Sequence, residues 1–173
     1  MSFRAWRGTI TLVATLLVTV TLLFAGDVPK AIGKKAVSFT LEDQFERKWT
    51  WSKHWMGKPT VLVMSDWKGS DYTMSWTTPL TEAFKERVQF VALADVSLAP
   101  SFIHEMLRTK FRESYTYSIL LDWDGDVFKH YLVQPGLPNV IFIDAEGTVR
   151  LHTWGKGAAN HVNAFAKELE KLL

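Results

Sequence analysis

The sequence predicts an α/β domain of three layers, a mixed central sheet flanked by helices, preceded by one apolar helix at the N-terminus. Three observations predict it. The runs Thr60–Met64, Gln89–Ala94, Ile119–Leu121 and Asn139–Asp144 are short, apolar and rich in β-branched residues, as strands buried on both faces are. Stretches with apolar residues at helical spacing lie between them, the alternation of a sheet covered on both sides. The turn Ala145-Glu146-Gly147 then separates the last run from Thr148–His152, so the chain closes its sheet with a hairpin.

The elements follow in order. Ser38–Leu41 alternates, and Arg47–Trp51 places Trp49 and Trp51 on one face at the strand period of two. Ser52–Trp55 reads as a short turn or helix. After the central strand Thr60–Met64, the polar loop Ser65–Thr73 leads into a helix over about Met74–Arg87. Trp76, Leu80, Ala83 and Phe84 share its inner side, and Pro79 predicts a kink. Pro100–Phe111 repeats apolar positions at Phe102, Ile103, Met106, Leu107 and Phe111, one amphipathic helix. Asp126–Leu132 is a short helix, and Ala158–Leu173 is a final helix with Val162, Phe165, Leu169 and Leu172 facing in.

Arg4 and Arg7 precede 19 uncharged residues, Gly8 to Gly26. At about 1.5 Å per residue such a helix spans roughly 28 Å, close to a hydrocarbon core of about 30 Å. A positive start followed by an apolar run is a targeting signature, so the rest of the chain is expected to be exported across the cytoplasmic membrane to a periplasmic or other extracytoplasmic compartment. Both fates of the segment stay open. Ala25 ends it acceptably for cleavage while Leu23 does not, and Lys30, Lys34 and Lys35 weaken the charge asymmetry of an anchor. The expected organisation is a signal or membrane anchor over residues 1–26, a linker over 27–35 and one domain over 36–173.

Composition narrows the function. The 173 residues carry 20 Lys and Arg against 18 Asp and Glu, and no basic block lies outside the N-terminal segment, so no nucleic-acid partner is expected. Eleven Phe, eight Trp and four Tyr supply ample surface for a core. Cys is absent, which removes disulfides, thiolate metal ligands, iron–sulfur clusters and thiol nucleophiles. The five His have no metal-ligand spacing. Asp122, Asp124 and Asp126 lack the rest of a calcium loop, and a capping role for Asp126 accounts for them. No cofactor and no metal are expected.

Four local patterns carry a family resemblance. They are Gly33–Asp43 with its Phe39-Thr40-Leu41, Gly57–Val63, Leu121–Tyr131 with Gly125, and Gly136–Gly147, where Gly-x-Pro precedes an apolar strand and Ile143-Asp144-x-x-Gly. Together they resemble the thioredoxin superfamily over about Ile32–Leu173, specifically its exported redoxin or thiol-disulfide oxidoreductase branch, related to alkyl hydroperoxide reductase and thiol-specific antioxidant. The resemblance implies a thioredoxin-like fold, a cis peptide bond at Leu137-Pro138, and an active site at the start of the helix after the first central strand.

That stretch departs from the family. It reads Ser65–Met74, and the two cysteine positions fall on Ser70 and Thr73 or, one residue on, Asp71 and Met74. Thiol-disulfide exchange and thiol peroxidase chemistry are therefore excluded by composition. Ser70, Asp71 and Thr73 are expected to cap the helix. Trp67 is the tryptophan expected to be exposed. The reading that follows is a membrane-tethered thioredoxin-like domain without thiol redox activity, a module for protein binding or assembly whose partner is a protein or peptide. Its surface would comprise Asp66, Trp67, Lys68, Gly69, Ser70, Asp71, Tyr72, Thr73, Met74, Leu137 and Pro138, with no catalytic residue. Two alternatives stand beside it: an enzyme using the non-thiol groups of the same loop, and a subunit of a larger membrane complex.

Overall fold

The computed structural model describes residues 30–173, so the expected N-terminal apolar helix and most of the expected linker lie outside the described residues. The strands are β1 (Thr40–Asp43), β2 (Lys48–Thr50), β3 (Thr60–Ser65), β4 (Gln89–Asp95), β5 (Ile119–Asp122), β6 (Asn139–Ile143) and β7 (Val149–Trp154). The helices are α1 (Trp51–His54), α2 (Thr73–Phe84), α3 (His104–Ser114), α4 (Asp126–His130) and α5 (Ala159–Glu170). One seven-stranded sheet forms in the order β2-β1-β5-β4-β3-β6-β7. The β3–β4 and β4–β5 pairs are parallel and the others antiparallel, so the sheet is mixed.

Strand alternation divides the core. Leu62 and Met64 of β3 point to one face, where Trp51 and Phe128 of α1 and α4, and Trp55 and Tyr131 directly after those helices, cover them. Val61 and Val63 point to the other, against Trp76, Leu80 and Phe84 of α2 and Val162, Phe165 and Leu169 of α5. The expected three layers are present, and the fold is thioredoxin-like.

Several expectations change in detail. Trp51 opens α1 rather than extending β2, and it is buried there. Ala83 is exposed on α2. α2 runs unbroken through Pro79; Pro79 and Ser75, four residues before it, are both exposed, so the missing hydrogen bond falls on the wet side of the helix. The amphipathic helix begins as a 3-10 turn, Ser101–Ile103, and buries no residue of α3. Phe102 is 86% exposed, because only Phe111 of this segment packs under the sheet beside Ile119 and Leu121. Leu172 lies beyond α5 and is exposed.

The described part of the polar stretch before residue 36 is packed, not loose. Ala31 is fully buried, and residues 31–36 run antiparallel along the outer edge of β7. Gly33 N donates to Val149 O at 2.9 Å, Val149 N to Lys34 O at 2.9 Å, and Ala36 N to Gly147 O at 2.8 Å. These bonds cover the start of β7 and the turn before it on an otherwise open sheet edge.

Candidate functional site

Two loops meet at the carboxyl end of β3. The first follows β3 through Asp66, Trp67, Lys68 and Gly69 into a 3-10 turn, Ser70–Tyr72, and then α2. The second is Gln134–Pro138, leading into β6. Asp66 joins them: one carboxylate oxygen accepts Gly69 N at 2.8 Å and the other accepts Gly136 N at 2.8 Å. Gly69 is there because the loops touch. A Cβ at that position would stand 2.7 Å from the carbonyl carbon and 3.0 Å from the Cα of Leu137, and 2.6 Å from Ser65 Oγ. Gly69→Ala is therefore expected to push the loops apart and cost about 1–3 kcal/mol, as overpacking of close-packed sites does. Urea unfolding checks the cost, and the amide NMR shift of Gly136 checks the separation.

The second loop is held from below. Asn139, fully buried, accepts Gln134 N at 2.8 Å and donates to Gln134 O at 2.8 Å and Leu137 O at 2.9 Å. His152 is buried behind it on β7, with Nε2 3.2 Å from Asn139 Oδ1 and Nδ1 accepting Ala31 N at 3.0 Å. The donor–acceptor pattern fixes the tautomer as Nε2–H, a neutral ring. Burial, with a smaller push from Lys30, lowers its pKa from 6.5 to about 4. Leu137 is half-buried and Pro138 buried. The cis bond expected at Leu137-Pro138 is corrected: no peptide bond among the described residues is cis. Trans is the lower-energy isomer by about 0.5–1 kcal/mol, and Asn139 binds the Leu137 carbonyl within that geometry.

The capping expectation also changes. No side chain caps α2 or the 3-10 turn before it. Ser70 Oγ instead donates back to Trp67 O at 2.7 Å, and Thr73 Oγ1 to Ser70 O at 2.8 Å. Both hydroxyl protons are thus spent on carbonyls, and neither is directed at a base. Asp71 is exposed and makes no hydrogen bond or ion pair among the described residues. Trp67 is 73% exposed with the Lys68 ammonium 5.8 Å from its ring centroid, and Lys156 lies 5.0 Å from the ring of Tyr72. Met74 is exposed beside a groove of about 540 Å³ between α2 and the β4 side of the sheet. A smaller cavity of about 220 Å³ lies at the strand ends, between Asp66, Asp95, Phe128 and Gln134.

At the neighbouring strand end Asp122, not Asp126, holds a helix start. Its buried carboxylate accepts Gly125 N at 3.1 Å, Val127 N at 3.0 Å and Phe128 N at 3.2 Å, while Asp126 is exposed and pairs with Lys129. Among the described residues no cluster of three metal-ligating side chains forms. Sequence reasoning missed the roles of Asp66, Asn139 and His152. The available signal was a polar residue, Asn139, opening a strand that is otherwise wholly apolar.

Fold and site together define a thioredoxin-like domain whose active-site loop contains no cysteine. Residues 32–152 match the model of the AhpC/TSA family, and the chain belongs to that family. No curated protein matches the sequence. Among solved structures, the pneumococcal exposed lipoprotein thioredoxin from Streptococcus pneumoniae is similar at 17% identity and a TM-score of 0.58, over 76% of this chain and 99% of that one. The thioredoxin domain of a thiol-disulfide oxidoreductase from Bacteroides vulgatus is 20% identical with a TM-score of 0.54, over 80% and 99%. A thiol peroxidase from Chromobacterium violaceum is 17% identical with a TM-score of 0.57, over 84% and 89%. At these identities the likeness is one of fold.

Proposed function

We propose that this chain is an exported, membrane-tethered thioredoxin-like domain that binds a protein or peptide partner and carries out no thiol chemistry. The observation that carries the reading is the Asp66 bridge. The loop of the lost cysteines and the loop of Pro138 are still held together by Gly69 N and Gly136 N on one carboxylate, although no thiol remains for that geometry to serve. The first loop carries Trp67, an exposed aromatic of the kind that anchors interfaces, and the second carries Leu137, half-buried. Export and tethering rest on Arg4, Arg7 and the uncharged run Gly8–Gly26. Among the described residues no helix is long and apolar enough to cross a membrane.

The test is photo-crosslinking in native membranes from a benzophenone side chain at position 72, with the full chain expressed at its natural level. A discrete crosslinked product is expected, and Trp67→Ala combined with Leu137→Ala is expected to reduce it at least about tenfold, as losing a hot spot of about 1.4 kcal/mol or more does. A product unchanged by both substitutions overturns the assigned surface.

A further inference from the structure

The strand register places the entry of the N-terminal segment, the candidate loops and two bare apolar side chains at one end of the sheet. Met64 pairs with Asn139, and Asn139 with Trp154. Met64 also pairs with Leu93, one residue before Ala94, and Asp95 pairs with Asp122. The last residues of β3, β4, β5 and β7 and the first of β6 therefore share an edge. Residues 31–36 run antiparallel to β7, with Ala31 on His152 and the Lys30 ammonium 5.6 Å from the ring of Trp154. The chain before Lys30 thus enters the domain at this same edge.

Just beyond β4, Leu98 is 88% exposed and Phe102 86% exposed. Ser97, adjoining Leu98, stands 3.0 Å from where a Cβ of Gly125 would lie, which fixes this turn against the β5–α4 turn at the strand ends. The two are four positions apart in the sequence, and neighbouring large apolar side chains left this bare mark a surface that meets something other than water. Gly26, the last residue of the uncharged run, is four residues from Lys30, a reach of roughly 14 Å for an extended chain.

From this placement we infer that this end of the domain rests on the lipid bilayer, with Leu98 and Phe102 seated in its interfacial region. The inference rests on the tether proposed above. A segment held in the membrane leaves the Trp154 edge no more than that short reach from the headgroups, and apolar and aromatic side chains partition favourably there. The opposite end, where α2 gives way to Glu86 and Arg87, faces water. Partners of the Trp67 surface then approach along the membrane plane, as the juxtamembrane segment of another protein does.

The absence of Cys makes the test direct, since a single introduced cysteine is the only labelling site. Full-length Leu98→Cys, Phe102→Cys and, at the far end, Glu86→Cys are spin-labelled and reconstituted in phosphatidylcholine vesicles. Collision rates with oxygen, which concentrates in lipid, and with a water-soluble nickel chelate are then compared. The oxygen-to-nickel ratio is expected to be several-fold higher at 98 and 102 than at 86. Equal ratios at the three positions in chain that floats with the vesicles overturn the orientation alone. Labels at 98 and 102 shielded from both reagents also overturn it, because protein then covers them. Failure of the chain to float overturns the tether and this inference with it.

Discussion

Trp76→Ala is expected to cost about 3–5 kcal/mol, the range for emptying a large aromatic site in a core, a large share of the about 5–15 kcal/mol that ordinarily holds a domain folded. Trp76 is fully buried and bridges three elements. Its ring meets His161 edge-on at 4.9 Å and Phe165 at 6.1 Å on α5, and its Nε1 donates to Gly155 O at 2.7 Å in the turn after β7. The turn has no room to collapse onto the gap by itself. Gly157 adopts φ 75°, and a Cβ there would lie 3.1 Å from Trp76 Cδ1 and 2.6 Å from Ser75 Cβ, so its backbone already rests on α2. Trp76→Phe keeps much of the volume but leaves the Gly155 carbonyl without its donor, for a smaller loss of about 1–3 kcal/mol. Urea titrations followed by far-UV circular dichroism distinguish the two. Equal midpoints for Trp76→Ala and the unaltered chain would show that α2 is not anchored through this side chain.

Acidification through the histidine range is expected to remove about 3 kcal/mol of stability by way of His152. Its folded pKa is lowered from 6.5 to about 4 by burial, with Lys30 contributing, so the folded state holds the ring neutral where the unfolded state takes up a proton. The sign follows: the contribution is complete above pH 6.5 and is lost as pH falls toward 4, by about 1.4 kcal/mol for each pH unit in that window. Protonation of Nδ1 would also set a donor against the Ala31 amide, so the first contact to fail is the one that fixes the chain's entry to the domain. The measurement is the urea midpoint between pH 7.5 and pH 5, a range above the ordinary carboxylate values. His152→Gln is expected to flatten the profile there. An equally steep profile in that variant would assign the pH dependence elsewhere.

Much of the fold was legible because its signals are local. Thr60–Met64 read as a central strand and Asn139–Asp144 as the first arm of the closing hairpin, since continuous apolar, β-branched runs suit strands, and they became β3 and β6 within a residue. Trp67 was legible as exposed because it sits in a polar loop between a buried strand and a helix. The amphipathic reading of Pro100–Phe111 was partly wrong for the same reason that it was made. Spacing shows that Phe102 and Met106 share a helical side, but it does not show whether anything covers that side, and both are exposed. Asp126 and Asp122 exchange roles on similar grounds: either could reach the start of α4 in sequence, and only Asp122 lies at the buried strand end beneath it.

The sequence by itself determined that thiol exchange and thiol peroxidase chemistry are closed to this chain, because the absence of every cysteine thiol is independent of conformation. It also determined the order of elements, because hydrophobic period is a property of neighbours along the chain. Tertiary structure alone decided that Asp66 clamps the two loops, that Asn139 and His152 support them from beneath, that Ser70 and Thr73 turn their hydroxyls to carbonyls, and that Leu137-Pro138 is trans. Those contacts join residues up to 121 positions apart, as Ala31 and His152 are, and no local pattern encodes such a separation.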